Sequence, residues 1–430
     1  MYLRTLAVPA LLCAVLLVMY RPRPDLRDRG SADVWLSAAF AFELVQLVPL
    51  PERVAGLLSP HARGAWERLA LAVPRTLPLS LDVAGGIWAA IVAGCALATF
   101  ITARHVFANG GVRRVVRAIA SIGLIVSAIG LAQEATGGGL MYWRWRPIEE
   151  GADPFGPFVN RNHFGTWVVL AVPLVLGYLA AHAAVHHRAS GGERRWSRLR
   201  DLTDSRTIWL TAAVVFMIVA LAVTLSRSAL FGLGAALALA AWLRPAGGGT
   251  TGRRPERWVA AGLLLAAAAA LVRVDPSALG ARLAAAPISI AGRIAIWRDT
   301  LPVVRDFWLT GTGAGTYETV MLLYQRSALE VRFNQAHNHY LQLAAEGGLL
   351  LGIPLLMGLS AWLRAAAAAM RRDTSAMYYV RAGACCGLAG AAAQSVWETG
   401  VTTPANALLA AVLAAIVVHA PIRADRQGGA

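Results

Sequence analysis

The chain has no lysine, only four cysteines and few charges of either sign. Charged residues fill 15% of its 430 positions and hydrophobic residues 57%, with a mean hydropathy of +0.54. So little charge cannot give a water-soluble globule its polar skin. The net charge of +16 and a pI near 10.9 would by themselves suit a nucleic-acid binder. Every basic residue is an arginine, however, and most stand in short linkers between apolar runs, so no nucleic-acid partner is expected. Cys13, Cys95, Cys385 and Cys386 all fall within apolar runs and read as small buried hydrophobes. None has metal-ligand spacing, and none lies in an outer loop where a disulfide would form.

What the chain has instead is a succession of apolar stretches of about 17 to 25 residues, the length that crosses a bilayer as a helix. Eleven such stretches occur, at 3–19, 33–50, 83–103, 115–134, 163–182, 207–225, 228–243, 258–273, 339–363, 378–397 and 404–420. The expected fold is an all-α polytopic membrane protein of about 11 transmembrane helices. The first stretch begins almost at Met1 and lacks a small-residue cleavage site, so it reads as a retained span. If 20–32, 104–117, 183–206, 244–257, 364–377 and 421–430 face the cytoplasm, they carry 23 of the 40 arginines, as the positive-inside rule expects. The N-terminus then lies outside, and 51–82, 135–162 and 274–338 become the large outer loops. Residues 183–206 and 244–257 have linker chemistry, as in Gly191-Gly192-Glu193 and Gly247-Gly248-Gly249. The Ala-rich runs 266–270 and 365–369 suit helix. One membrane domain over 1–430, with 274–338 as a long loop inserted in it, is the expected organisation.

The long loop carries the densest chemistry. Ile290, Ile294, Trp297, Leu301 and Val304 recur at helical spacing, predicting an amphipathic helix flanked by Arg293 and Arg298 that Pro302 ends or kinks. Gly311, Gly313 and Gly315 follow no strand, so they read as a turn in which backbone approaches a neighbour or a ligand. At the edge of the next apolar run stands Ala336-His337-Asn338-His339-Tyr340-Leu341. A histidine there can accept a proton from a sugar hydroxyl. It can equally be a capping or interfacial residue, and no third ligand at a telling distance supports a metal.

Two more polar groups lie at the same outer face. Arg227, in Leu225-Ser226-Arg227-Ser228, sits between two closely spaced spans, at a depth where an ionisable group marks function unless it only snorkels to lipid phosphate. The stretch Phe158-Val159-Asn160-Arg161-Asn162-His163-Phe164-Gly165 opens the fifth span, after Tyr142, Trp143 and Trp145, which read as an interfacial belt or a sugar-stacking surface. Arg293 offers a planar, permanently charged fork suited to phosphate, or else a solvated helix face.

In order and placement, Gln46 to Pro51, Phe158 to Gly165, Leu225 to Leu230, Gly292-Arg293 with Trp297, Gly311 to Tyr317 and Ala336 to Leu341 with Glu346-Gly347 resemble the O-antigen ligase family. That family also includes O-antigen polymerases and some protein O-oligosaccharyltransferases. The chain departs from it at 306–310, where the family often has a proline, and many members carry an additional N-terminal span. The resemblance implies a GT-C-like glycosyltransferase of the bacterial inner membrane that works on the periplasmic side in lipopolysaccharide biosynthesis. It implies transfer of a glycan from undecaprenyl diphosphate to an acceptor, most often lipid A–core, without a metal or other cofactor. Arg227 and Arg293 would then hold the donor diphosphate, His337 would be the base or orient the acceptor, and Arg161, Asn162 and Asn338 would support them. A flippase or transporter, the rival of another class, predicts paired broken helices or midplane charges. The sequence has no internal repeat, and its polar residues gather at the outer face.

Overall fold

The structure, a computed structural model, describes residues 13, 15–22, 31–70, 76–136, 140–147, 152–189, 205–243, 286–327 and 332–420. Its helices, in chain order, are α1 (Ala32–Gln46), α2 (Glu52–Leu58), α3 (Ala62–Leu69), α4 (Val83–Ala108), α5 (Val112–Thr136), α6 (Arg161–Ala189), α7 (Ser205–Thr224), α8 (Arg227–Trp242), α9 (Ala286–Asp306), α10 (Tyr317–Tyr324), α11 (His339–Arg372), α12 (Met377–Gln394) and α13 (Pro404–Val418). A two-stranded antiparallel ribbon pairs β1 (Leu50–Pro51) with β2 (Thr76–Leu77), Leu50 opposite Leu77. Among the described residues, α4, α5, α6 through Val185, α7 and α11 are long and apolar enough to cross a membrane, and α8 and α13 are shorter apolar helices. This is the helical, polytopic membrane architecture the composition calls for. Nine of the eleven expected stretches overlie helices. The stretch 258–273, most of 3–19, most of the linker 183–206, the linker 244–257 and the Ala-rich run 266–270 lie outside the described residues.

Packing divides the chain into two compact units, one of Met1–Thr102, Ala281–Ala365 and Ser395–Ala407, the other of Ala103–Gly280, Ala366–Gln394 and Leu408–Ala430. In the first, the outer loops are folded. Residues 51–82, expected as loop, contain the ribbon with α2 and α3, and Ala62 and Ala65 of α3 pack with Ile296 and Val303 of α9, with Phe307 just past its end and with Tyr317, Val320 and Met321 of α10. Helices this short form only when tertiary packing holds them, which is why no sequence period announces them.

The α9 helix forms as expected, but its buried face differs. Ile296, Thr300, Val303 and Phe307 are buried, whereas Ile290, Ile294 and Leu301 of the predicted stripe are exposed. Thr300 can enter the core because its hydroxyl donates to the Ile296 carbonyl and pairs with the Tyr317 hydroxyl, each at 2.7 Å, so no buried polar atom is left unsatisfied there. The predicted stripe is thus the exposed side of α9. Pro302 does not end the helix, which runs on to Asp306.

A break in α11 shapes the same unit. Gly348 has non-helical backbone (φ 57°, ψ −161°) inside the otherwise continuous helix. A Cβ there would meet the Gly311 nitrogen at 2.5 Å, and a Cβ on Gly311 would meet the Glu346 carbonyl oxygen at 2.1 Å. The approach satisfies the backbone groups that the break frees: Leu349 and Leu350 donate to the carbonyls of Trp308 and Leu309, and Thr312 and Gly313 donate to those of Ala345 and Glu346. Irregular backbone in a membrane helix survives only with such partners. Beyond the break Ile353, Leu356, Leu359 and Leu363 are exposed, as a lipid-facing helix requires.

In the second unit α6 is apolar all round and buried from Phe164 to Val175, as a helix enclosed by others must be. Its Gly177 meets Gly383 of α12 so closely that a Cβ on either would lie 2.3 Å from the other helix's backbone oxygen, a small-residue crossing of the kind membrane helices favour. Among the described residues of this unit one charge is buried. Arg381 donates to Asp373 Oδ2 (2.9 Å) and to the carbonyls of Ile416, Val417 and His419 at the end of α13. The four cysteines are free, and each is buried or half-buried.

Candidate active site

In the first unit the segment leading into α11 is held at almost every residue. Thr399 Oγ1 donates to Gln335 Oε1 (2.5 Å), Trp297 Nε1 to the Ala336 carbonyl (3.0 Å), the Ala336 amide to Gln342 Oε1 (3.1 Å) and the His339 amide to the Ser395 carbonyl (2.8 Å). Asn338 Oδ1 accepts the Leu341 amide (3.1 Å), capping α11. Between these ties His337 adopts left-handed backbone at φ 47°, which a non-glycine residue holds only where its surroundings impose it.

The His337 side chain is 30% exposed, and its Nδ1 lies 3.6 Å from Oε1 of Glu398, a carboxylate only 1% exposed. That separation is longer than a hydrogen bond, but catalytic contacts often tighten only when substrate is bound. Oε1 of Glu398 also accepts the Thr399 amide at 3.2 Å, which fixes the carboxylate behind the ring. Sequence reasoning missed Glu398. Its one signal was an acid at the end of an apolar run, in Trp397-Glu398-Thr399, where desolvation would be costly without a purpose.

The scattered sequence pieces around His337 form one polar frame. Gln342 Nε2 donates to Glu346 Oε1 (3.3 Å), which also accepts the Tyr317 amide (3.0 Å) at the start of α10. Gln46 Nε2 donates to the carbonyls of Thr310 (2.8 Å) and Glu346 (3.1 Å), and its Oε1 accepts the Ala314 amide (3.2 Å). Gly311, Gly313 and Gly315 all have positive φ, and a Cβ on each would strike Glu346, Ser80 or Gly85. The glycine turn therefore approaches neighbours within the protein. Glu346 serves the α10 N-terminus by accepting the Tyr317 amide there. Among the described residues no cluster of three or more His, Cys, Asp or Glu could hold a metal ion.

Two carboxylates brace the frame. Burial pushes Asp299 up, but the Ser327 hydroxyl and the Arg326 and Ser327 amides outweigh it and hold the carboxyl below its ordinary value of 3.8. Asp306 is likewise pushed up by burial and brought below 3.8 by hydrogen bonds from Arg305 and Tyr324. A depressed carboxyl contributes stability that is present above its unfolded value and lost as pH falls through the folded one. The stability difference between the unmodified chain and Asp299→Asn is thus expected to stay constant above about pH 5 and to shrink below about pH 4, given an ordinary carboxyl value near 3.9. Denaturant titration at stepped pH reads it.

The second unit holds the other three expected residues. Asn160 Oδ1 accepts the Asn162 amide at the start of α6, and Ser226 Oγ donates to Asn162 Oδ1 at 2.6 Å. The turn before α8 is strained at Leu225 (φ 51°). It places Arg227 exposed in the first turn of α8, and among the described residues Arg227 has no hydrogen bond or ion pair. A cation beside the free amides of a helix N-terminus suits an anion. Arg161 is paired with Asp153. The six residues therefore divide three and three: His337, Asn338 and Arg293 in one unit, Arg161, Asn162 and Arg227 in the other. Arg293, half-buried on α9, lies one turn before Trp297 and so on the same face as the indole that ties the His337 segment.

A membrane-spanning helical protein with a histidine–carboxylate pair at the end of a span, and a separate arginine at a helix start, is a class defined by polar chemistry at span ends. Residues 212–356 of the chain match the family described as O-antigen ligase. That stretch, about a third of the chain, contains Arg227, Arg293, His337 and Asn338 and supports a reading of the O-antigen ligase or polymerase type. No curated protein and no solved structure matches the chain.

Proposed function

We propose that the chain is an O-antigen ligase: a GT-C-like glycosyltransferase of the bacterial inner membrane that moves a glycan from undecaprenyl diphosphate to lipid A–core on the periplasmic side. The observation that carries this is His337, backed by the buried Glu398 carboxylate, a base oriented by a third group. His337 Nε2 takes the proton of the acceptor hydroxyl as its oxygen bonds to the anomeric carbon. The sugar–phosphate bond breaks, and undecaprenyl diphosphate leaves with the electron pair. Arg227 and Arg293 hold the diphosphate and stabilise the charge that develops on it, without the reorganisation water would need. Asn338 sets the start of α11, and Asn162 sets the turn that presents Arg227. In this reading residues 1–430 act as one transferase domain with 274–338 as its periplasmic loop.

The test is transfer in liposomes holding the full chain, undecaprenyl-diphosphate glycan and lipid A–core. Transfer is expected to persist in a chelator. Arg227→Ala and Arg293→Ala are each expected to raise the donor KM about 10- to 100-fold, since a hydrogen bond to a charged group is worth about 1.5–3 kcal/mol. Turnover only with a second lipid-linked repeat, or with a serine- or threonine-bearing peptide, would reassign the acceptor. No donor turnover with any of them overturns the reading in favour of a lipid-glycan flippase.

A further inference from the structure

Beside the His337–Glu398 pair, Trp297 and Trp397 face each other with ring centroids 5.6 Å apart and planes inclined at 35°. Both are half-buried. Trp297 donates its Nε1 hydrogen to the Ala336 carbonyl, so its polar edge is committed to the segment that carries His337. Trp397 directly precedes Glu398, and among the described residues its Nε1 donates to nothing. That Nε1 is not among the buried unpaired atoms, so it opens to solvent and to whatever binds there. A broad apolar face with an unspent donor at its edge, one residue from the carboxylate behind the base, matches the chemistry of a sugar ring, whose C–H face is apolar and whose rim is hydroxylated.

We infer that Trp397, propped by Trp297, is a binding platform for the acceptor pyranose that carries the reacting hydroxyl. This rests on the transferase reading above, because the base must lie within hydrogen-bond reach of the hydroxyl it deprotonates. The ring's C–H face packs on the indole, whose π face is the negative one. Trp397 Nε1 donates to a neighbouring hydroxyl and fixes which oxygen meets His337. Such a platform selects acceptors by the face they present and leaves the diphosphate end of the donor unread.

The experiment compares the unmodified full chain with Trp397→Ala, Trp397→Phe and His337→Ala, measuring KM and kcat for lipid A–core at saturating donor. It adds direct binding of delipidated core oligosaccharide to donor-free protein by calorimetry. Trp397→Ala is expected to raise the acceptor KM about 10-fold, the effect of roughly 1.4 kcal/mol, with donor KM and kcat nearly unchanged and oligosaccharide binding weakened to match. Trp397→Phe, which keeps a ring but loses the donor, should fall between, and it decides the matter if the alanine variant does not fold. An unchanged acceptor KM, or a fall in kcat at constant KM, overturns the platform while His337→Ala still reports on the transferase reading. Oligosaccharide binding that depends on Trp397 in a chain without transferase activity keeps the platform as a sugar site and overturns the transferase reading alone.

Discussion

If His337 is the base of the proposed transfer, His337→Ala is expected to cut kcat by about 10²- to 10⁴-fold, the usual worth of a positioned general base, with donor KM little changed because the proposed role of the ring is at the acceptor hydroxyl. Glu398 acts through the histidine, so its role is positioning, and Glu398→Gln should lower kcat by less. The decisive comparison is the double variant. If Glu398 works by orienting the imidazole, adding Glu398→Gln to His337→Ala costs nothing further, because residues that act as a unit are not additive. Additive losses would mean that Glu398 merely holds the Thr399 backbone. Wild-type rates in folded His337→Ala would remove the base from the mechanism.

Arg381→Ala should be the most destabilising single change in the second unit. Arg381 is 4% exposed, and its guanidinium pairs with Asp373 and donates to three carbonyls at the end of α13. Its loss leaves a half-buried carboxylate and a helix C-terminus without partners. Breaking a buried ion pair from one side costs about 3–5 kcal/mol. Arg381→Lys should recover only part, because an ammonium cannot reproduce the planar fork that spans these acceptors. Unfolding of the purified chain in a detergent titration measures both, and an Arg381→Ala protein as stable as the parent would contradict the packing described for α12 and α13.

The helices were legible where the chain wrote them as long apolar runs, because a bilayer crossing leaves a length and hydropathy signal that needs no partner. His337 and Arg227 were legible as polar residues at the edges of apolar runs, and the fold places His337 just before α11 and Arg227 at the start of α8. The phase of α9 was not legible. Thr300 counts as polar in any periodic reading, yet it is buried once the Ile296 carbonyl and the Tyr317 hydroxyl take its hydroxyl. The helices within 52–69 gave no signal because their core partners lie on α9 and α10. Glu398 was hidden by distance in sequence: only the fold brings it to His337.

Left-handed backbone at His337 and at Leu225, two residues before Arg227, has a consequence for how this protein can be improved. Each such residue costs about 1–3 kcal/mol relative to relaxed backbone, and histidine at the lower end, being among the side chains that tolerate this region best. Selection for a thermally tougher chain would therefore drift first toward glycine at 225, where the strain is greater, whereas glycine at 337 would relieve strain only by discarding the imidazole. Hardiness and turnover are opposed at that position, and a stabilised variant of this protein has to take its gains from elsewhere.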